Sequence, residues 1–594
     1  MLSLVKLKEI FGADLRSLAL LRIAVGLLLL IDLVQRSSDL AAHYTDFGVL
    51  PRAAAMETAY SRWLLSIHFI NGTWEIQAVL FFLAGVFAIA LLLGYRTRIA
   101  TIGSWFLFLS LNIRNPIVLQ GGDIEFRVIL FWAMFLPWGM RYSIDKVLHP
   151  EWDALPTSII SWATFAYLFQ IIFVYWFGAI LKTGAEWRTE WTAIYYALSI
   201  DQFATPVSHF LLQFPHLLKV LTFGVFWFEA LGPFLLLSPF CTGFLRTAAV
   251  LGFFLMHLSF GLGLSIGLFA FIGALCPIGL LPTWFWDEAA DRIDALKSRG
   301  LKIYYDQDCG FCAKAMRVIR GLVSRNSQIL PAQCDPSIDE DMRNKNSWVV
   351  VDESGERYFA YKAAVVIARQ IPWLRPLLWF FSLAVMEKLG ERCYRIIASH
   401  RRVACRITDS SSANLTQDLR LSDATNIIII GLFLFVLAWN VTNIPAVKYK
   451  VPERVGAIVR LLGIDQQWGM FAPYPQKGDG WYVIPGKQKN GRVVDIFRGG
   501  QPVTWEKPAS VAATYKNYRW RKYMMNLWLK SHERQRPYYA QYLCRDWNSR
   551  HNGEQRLEEL AIYYMLEVTL PNYEYFTPEK VLVLKHQCAG SKKD

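Results

Sequence analysis

The chain has 594 residues, too many for a single hydrophobic core, and 54% of them are hydrophobic against 19% charged. The net charge of +14 is dispersed, and much of it flanks apolar runs where basic side chains meet anionic headgroups, which argues against a nucleic-acid partner and for membrane lipid. Nine cysteines in this length are too few for a disulfide scaffold.

Met1–Arg16 leads into an apolar stretch with no small-residue cleavage site after it, so the stretch is expected to stay as an anchor. Apolar runs then follow at Ser17–Val34, Trp74–Tyr95, Ile99–Asn112, Phe126–Met140, Ser158–Lys182, Leu217–Leu237, Phe244–Gly263 and Ser265–Leu281, with an isolated one at Thr425–Ile444. Against the ~20 residues a bilayer requires, they predict about nine crossings. Lys6, Lys8, Arg16, Arg96, Arg98, Arg141, Lys146 and Arg246 fall on one face if the crossings alternate, and short-loop cations mark the cytoplasmic side. The expected location is therefore a multi-pass protein of the bacterial inner (plasma) membrane. Segment 300–420 is expected in the cytoplasm and 445–594 on the outer side.

Arg22, Asp123, Glu125, Arg127 and Glu229 lie within or at the edges of these runs and are expected to pair with one another. On the outer face, Ala41–Arg52, Arg114–Arg127 and Lys182–Phe203 mix Trp, Tyr, Gly and charge, as the lining of an interfacial chamber would. Lys182 reads either as a snorkelling anchor or as a partly desolvated base. His257 reads either as a helix–helix hydrogen-bond partner or as a functional intramembrane group.

After the eighth run, a β-prone stretch, Leu301–Tyr305, feeds Cys309-Gly-Phe-Cys312, and apolar spacing through Met316, Ile319 and Leu322–Val323 predicts a helix. A helix N-terminus stabilises a thiolate at Cys309, which can attack a disulfide, and Cys312 one turn on can resolve the product. Asp306 and Asp308 oppose the thiolate electrostatically, or act as proton acceptors or N-caps. The alternative is half of a zinc site completed from Cys334, Cys393, Cys405 or His400.

Asp306, Cys309 and Cys312 form the Asp-x-x-Cys-x-x-Cys signature, and segment 300–408 resembles the DCC thiol–disulfide oxidoreductase family. SWVVVDESGERYFAYKAAVVIARQI is similar to that family's hairpin and following helix, and CYRIIASHRRVAC to its closing helix. The resemblance implies a thioredoxin-like unit over 298–410, with a protein or small-molecule thiol partner and no cofactor. No proline precedes Trp348–Val351, where thioredoxins place one. Residues 10–285 resemble the HTTM domain, which is similar to the vitamin K-dependent γ-glutamyl carboxylase; the carrying stretches are LLRIAVGLLLLIDLVQRSSDLAAHYTDFGVLPR, GGDIEFRVILFWAMFLPWG and the surroundings of Lys182 and Trp187. By that resemblance Lys182 is a base toward a reduced quinone, which makes a quinone the possible cofactor. The carboxylase's Asn-Asn-His-Ser stretch has no counterpart, since NIRNPIVLQGGD stands there.

QQWGMFAPYPQKGDGW resembles the extramembrane start that follows the last span in HTTM-type proteins. Beyond it, strand-like runs at Gly480–Ile484, Val493–Phe497, Ala561–Thr569 and Val581–His586, with a basic aromatic helix over Tyr515–Lys530, predict a sheet with one buried face. Cys544 and Cys588 are candidates for a disulfide. The expected fold is a polytopic α-helical membrane domain (1–285), a thioredoxin-like α/β domain (298–410), a further transmembrane helix (425–444) and an extramembrane α+β tail (445–594). The expected activity is membrane-anchored thiol–disulfide exchange, with Cys309 and Cys312 tuned by Asp306 and Asp308. The alternatives are a carboxylase- or epoxidase-like enzyme of a quinone-type lipid using Lys182, and a non-enzymatic membrane scaffold. Cys309 and Lys182 are expected near opposite faces.

Overall fold

The computed structural model describes residues 4–58, 66–149, 155–295, 301–320, 327–369, 378–400, 421–571, 574 and 576–588. Its first long helices are α1 (Leu15–Ser37), α2 (Trp74–Leu93), α3 (Thr97–Arg114), α4 (Gly121–Ala133) and the short α5 (Ile144–Leu148). They continue with α6 (Trp162–Leu181), α7 (Pro215–Leu236), α8 (Thr242–Gly263), α9 (Phe269–Leu275) and α10 (Thr283–Ala295). Side-chain oxygens start several of them: Asp14 caps α1, Ser143 caps α5 and Ser161 caps α6, each accepting an amide that the helix leaves unpaired. Strand β1 (Ala13–Asp14) pairs antiparallel with β2 (Ser158–Ile159), tying the start of α1 to the start of α6.

Six described helices are long and apolar enough to cross a membrane: α1, α2, α6, α7, α8 and the later helix Asp423–Thr442. A seventh counts only if Phe269–Leu280 and Thr283–Asp291, bent by 88° at their junction, are one span. These six are part of the nine runs expected to cross, and the other runs differ for identifiable reasons. Helix α3 carries Arg98 and Arg114, α4 has only 13 residues and holds Asp123, Glu125 and Arg127, and the run from 265 to 281 breaks at a 3₁₀ turn, Cys276–Leu280.

The intramembrane charges do not pair with one another as expected. Arg22 donates to the carbonyls of Leu91 (2.9 Å), Leu92 (3.1 Å) and Tyr142 (2.5 Å), closing the C-terminal end of α2 where Gly94 turns left-handed at φ 68°. Arg127 bonds Asp465 at 2.8 Å, Glu229 binds Lys182, and Asp123 binds Arg36 at 2.6 Å. The basic loops do gather at one end of the bundle: Arg246 holds the carbonyls of Glu9 and Ile10 at 3.0 Å, and Asp145 accepts the amides of Arg96 and Thr97 at 2.8 Å.

A separate sheet follows, built from β3 (Lys302–Tyr305), β4 (Gln328–Pro331), β5 (Val349–Val351) and β6 (Arg357–Phe359) in the order β4-β3-β5-β6. Strands β3 and β4 are parallel, whereas β5 runs antiparallel to β3 and to β6. Helices α11 (Gly310–Arg320), α12 (Pro336–Lys345) and α13 (Ala360–Arg369) cover it. Met316 of α11 with Ala363, Val366 and Ile367 of α13 pack on Ile303 and Val350, while Ile338 and Met342 of α12 pack on Tyr304 and Val349 across the sheet. The short α14 (Leu378–Phe381) and α15 (Ala384–Ser399) end this unit. Arg317 of α11 donates to the carbonyl of Val147 on α5 at 3.4 Å, so the unit sits at the basic-loop end of the bundle. The expected closing helix is seen to Ser399 with His400 as its cap, and the rest of its motif, from 401 on and including Cys405, lies outside the described residues.

The candidate span α16 (Asp423–Thr442) leads to the opposite end. There β7 (Gly478–Val483), β8 (Pro485–Gln488), β9 (Val493–Asp495), β10 (Leu557–Val568) and β11 (Glu579–Gln587) form a sheet in which β10 pairs with β11, β7 and β8. Helices α17 (Tyr518–Trp528) and α18 (Arg536–Arg550) pack on it, and Cys544 of α18 is joined to Cys588 by a disulfide. The strand-like runs and the basic helix expected for the tail are all found; α18 was not foreseen, because its RPYYAQYLCRDWNSR shows no clean apolar period.

The tail and the bundle share a core, with Val49, Leu50, Ile117 and Val118 packing against Trp481, Tyr523 and Met524. At their junction Arg519 reaches Asp32 (2.7 Å) and Asp123 (2.5 Å), and Arg36 reaches the same two carboxylates, both at 2.6 Å. All four side chains are buried. Removing one member of such a set strands the others without compensation, at a cost of about 3–5 kcal/mol. Replacing Arg519 by Met is expected to loosen α17 from the bundle, read as faster amide exchange across Tyr518–Trp528 with the disulfide intact. A second cluster, Asp201, Asp479 and Glu567, surrounds Lys507, which bonds Asp201 and Glu567 at 2.5 Å each. Burial and the Asp201 carboxylate push Asp479 up to about 7. Its folded form thus holds a proton the unfolded form has lost, so it costs stability progressively from about pH 4 to pH 7. Asp479→Asn is expected to raise the melting temperature more at pH 8 than at pH 5.

Candidate active site

Strand β3 delivers the chain to a turn at Asp306–Asp308, and α11 starts at once, with Cys309 before its first residue. The carbonyl of Cys309 accepts the Ala313 amide at 3.0 Å, which puts Cys309 at the N-cap. Its Sγ accepts the amide of Cys312 at 3.4 Å, so the sulfur occupies the place a capping oxygen takes and faces the positive end of α11.

The two cysteines differ in access. Cys309 is half-buried, Cys312 is fully buried, and neither is in a disulfide. Burial lets Cys312 meet nothing larger than its neighbour, while Cys309 can meet a partner, which is the division of labour of attacking and resolving thiols.

The aspartates also divide. Asp306 accepts the Asp308 amide at 3.1 Å and the Gln333 side chain at 3.0 Å, and its own carbonyl accepts the Cys309 amide at 3.3 Å. Asp306 therefore holds the turn, whereas Asp308 is exposed beside Cys309. Gln333, which also accepts the Gln307 amide at 3.3 Å, links the turn to the end of β4, and sequence reading did not single it out. The Asp-x-x-Cys-x-x-Cys spacing carries no trace of this residue, which arrives through the parallel β3–β4 pairing. Among the described residues, the ligand atoms of Cys334, Cys393 and His400 do not gather around Cys309 and Cys312; the only close set of three is Asp201, Asp479 and Glu567.

Lys182 lies elsewhere. It ends α6, is 5% exposed, binds Glu229 of α7, and has its ammonium 4.6 Å from the centroid of the Trp187 ring. Trp187 donates to the carbonyl of Phe471 at 2.8 Å and Gly184 to that of Pro473 at 2.9 Å, so the QQWGMFAPYP stretch clamps this loop. Trp468 and Gln466 of that stretch are buried in the bundle, Gln466 bonding Gln170 at 2.8 Å. His257 of α8 shares a 3.2 Å hydrogen bond with the Tyr175 hydroxyl of α6, the helix that Lys182 ends. Lys182 thus sits at the tail end of the bundle and Cys309 in the unit at the other end; the structure does not bring the two together.

Residues 303–406 match the family DCC1-like thiol-disulfide oxidoreductase. No curated protein and no solved structure matches the chain.

Access orders the chemistry. Brief alkylation of the native protein is expected to label Cys309 well before Cys312, with Cys312 reacting only when the unit opens; mass spectrometry of the 303–320 peptides reads the order.

Proposed function

We propose that the protein is a membrane-anchored thiol–disulfide oxidoreductase, with α1, α2, α6, α7, α8 and α16 among its spans. The observation that carries this reading is the Cys309 sulfur at the N-terminus of α11, with Cys312 buried one turn on, inside the segment that matches the redox family. The strand order β4-β3-β5-β6, with one parallel and two antiparallel pairings and the dithiol after the first strand, supports a thioredoxin-like unit.

In the reducing direction, the Cys309 thiolate attacks one sulfur of a partner disulfide and the other partner sulfur leaves as a thiolate. Cys312, losing its proton, then attacks the Cys309 sulfur. The second partner sulfur is released, and the protein holds a Cys309–Cys312 disulfide with two electrons passed to the partner. In this reading that proton passes to solvent with exposed Asp308 as the candidate acceptor, and Asp306 holds the turn that carries Cys309. The reverse sequence oxidises a dithiol partner. The partner class is a protein or small-molecule thiol or disulfide, and this step uses no cofactor.

The Cys544–Cys588 disulfide supports placing the tail in an oxidising compartment, and hence the redox unit, at the other end of the bundle, in the cytoplasm. A second site reading rests on the Lys182–Glu229 pair: a buried lysine with an acid partner beneath Trp187 can take and return a proton at a lipid-soluble substrate of quinone type, as the HTTM-like resemblance implies.

Cys309→Ser is expected to abolish disulfide exchange by the purified full-length protein, while Cys312→Ser is expected to accumulate a mixed disulfide at Cys309. If exchange persists without Cys309, the reading fails. Lys182→Ala is expected to leave exchange unchanged and to affect only turnover of a quinone-type lipid in membranes.

A further inference from the structure

Helix α15 is amphipathic with its polarity reversed. The side turned to the redox unit is polar: the Tyr394 hydroxyl accepts the Trp348 amide at 3.2 Å, Glu391 accepts the Tyr361 amide at 3.3 Å, and Glu387 pairs with Lys362 at 3.2 Å. The apolar side faces outward. Val385 is 75% exposed, Leu389 52% and Ile396 56%, and at 3.6 residues per turn these three share a stripe about 40° wide. Ile397 widens the stripe on one side, and Lys388, Arg392 and Arg395 border it on the other. Just before it, α14 exposes Trp379 and Phe380. No residue of α15 is buried, so the stripe covers no core within the described residues.

The position of the stripe selects its occupant. Helices α11, α13 and α15 lie on one side of the β3–β6 sheet and α12 on the other, through the contacts of Met316, Ile367 and Tyr361. The α11 side is the one that docks, through Arg317, on Val147 at the end of the bundle. The stripe is therefore on the side of the unit turned toward the level where the candidate spans end. Apolar stripe, basic border and exposed aromatics together are the composition of a helix lying in a bilayer interface, where the cations meet anionic phosphates and the aromatics sit at headgroup depth. A two-fold contact with a second copy would press the same basic borders against each other.

We propose that α14 and α15 form an interfacial helical segment that lays the redox unit on the surface of an anionic bilayer, confining Cys309 to partners that reach the membrane surface. The proposal rests on the spans crossing a bilayer and adds to that reading a second, reversible attachment.

The test uses full-length protein in nanodiscs of phosphatidylcholine with phosphatidylglycerol, carrying the photocrosslinker benzoylphenylalanine in place of Leu389. Parallel variants carry it in place of Tyr394, whose ring and hydroxyl face Trp348 of the redox unit, and in place of Leu255, which α8 exposes. Lipid adducts are expected at 389 and 255 and not at 394. A lipid adduct at 255 without one at 389 overturns the proposal while leaving the membrane reading intact. An adduct at 389 of twice the chain mass overturns it in favour of a second copy. Combined Lys388→Glu, Arg392→Glu and Arg395→Glu is expected to lower the yield at 389 in phosphatidylglycerol discs, by about fivefold for each cation that contacts the surface. A yield indifferent to lipid charge overturns the choice of anionic headgroups. Retained disulfide exchange at Cys309 in these variants reports that the unit is folded.

Discussion

Four buried charges decide how the two largest parts of the molecule fit. Asp32 and Asp123 come from different helices of the bundle, and Arg36 bonds both of them. One arginine cannot neutralise two carboxylates, and a surplus charge out of water is costly, so the site is complete only when Arg519 enters from the tail. Lys516 and Asn517 reinforce the same junction by bonding Asp39, at 2.5 and 2.6 Å, and burial there is outweighed by these partners, which hold the Asp39 carboxyl below its usual range. The shared apolar core around Val118 and Tyr523 then forms around a fixed register.

The two cysteine pairs do opposite work at opposite ends. Cys544 and Cys588 close a loop across 44 residues of the tail, which is a structural brace. Cys309 and Cys312 are three residues apart at the start of a helix that stands with no bond between them. Between them lies the bundle, whose helix α6, with 20 residues, is about 30 Å long. Lys182 ends that helix on the tail side, so the length of the bundle separates it from the unit that carries Cys309.

What the sequence revealed follows from the range of the interactions involved. The dithiol turn, the strand before it and the helix after it are local, and Asp306, Cys309 and Cys312 announce them within seven residues. The apolar runs are equally legible, though apolarity and helix length do not coincide everywhere: the run that holds α4 has only 13 residues of helix. Gln333 was missed because its role depends on a parallel strand pairing, and Arg519 because its partners lie 396 and 487 residues away. Arg22 misled for a different reason. An arginine in an apolar run suggests an acidic partner, yet a helix C-terminus offers unpaired carbonyls that serve as well. The QQWGMFAPYP stretch reads as polar and aromatic enough for a loop, and only the bundle explains why Trp468 is buried.

The distance in sequence between Asp123 and Arg519 also imposes an order on synthesis. Asp32, Arg36 and Asp123 are made and inserted some 400 residues of translation before their fourth partner exists. Throughout that interval Asp32 and Asp123 share the single charge of Arg36. The part that carries Arg519 therefore completes the charge balance of a part made long before it: a chain that stops short of residue 519 leaves Asp32 and Asp123 with Arg36 alone.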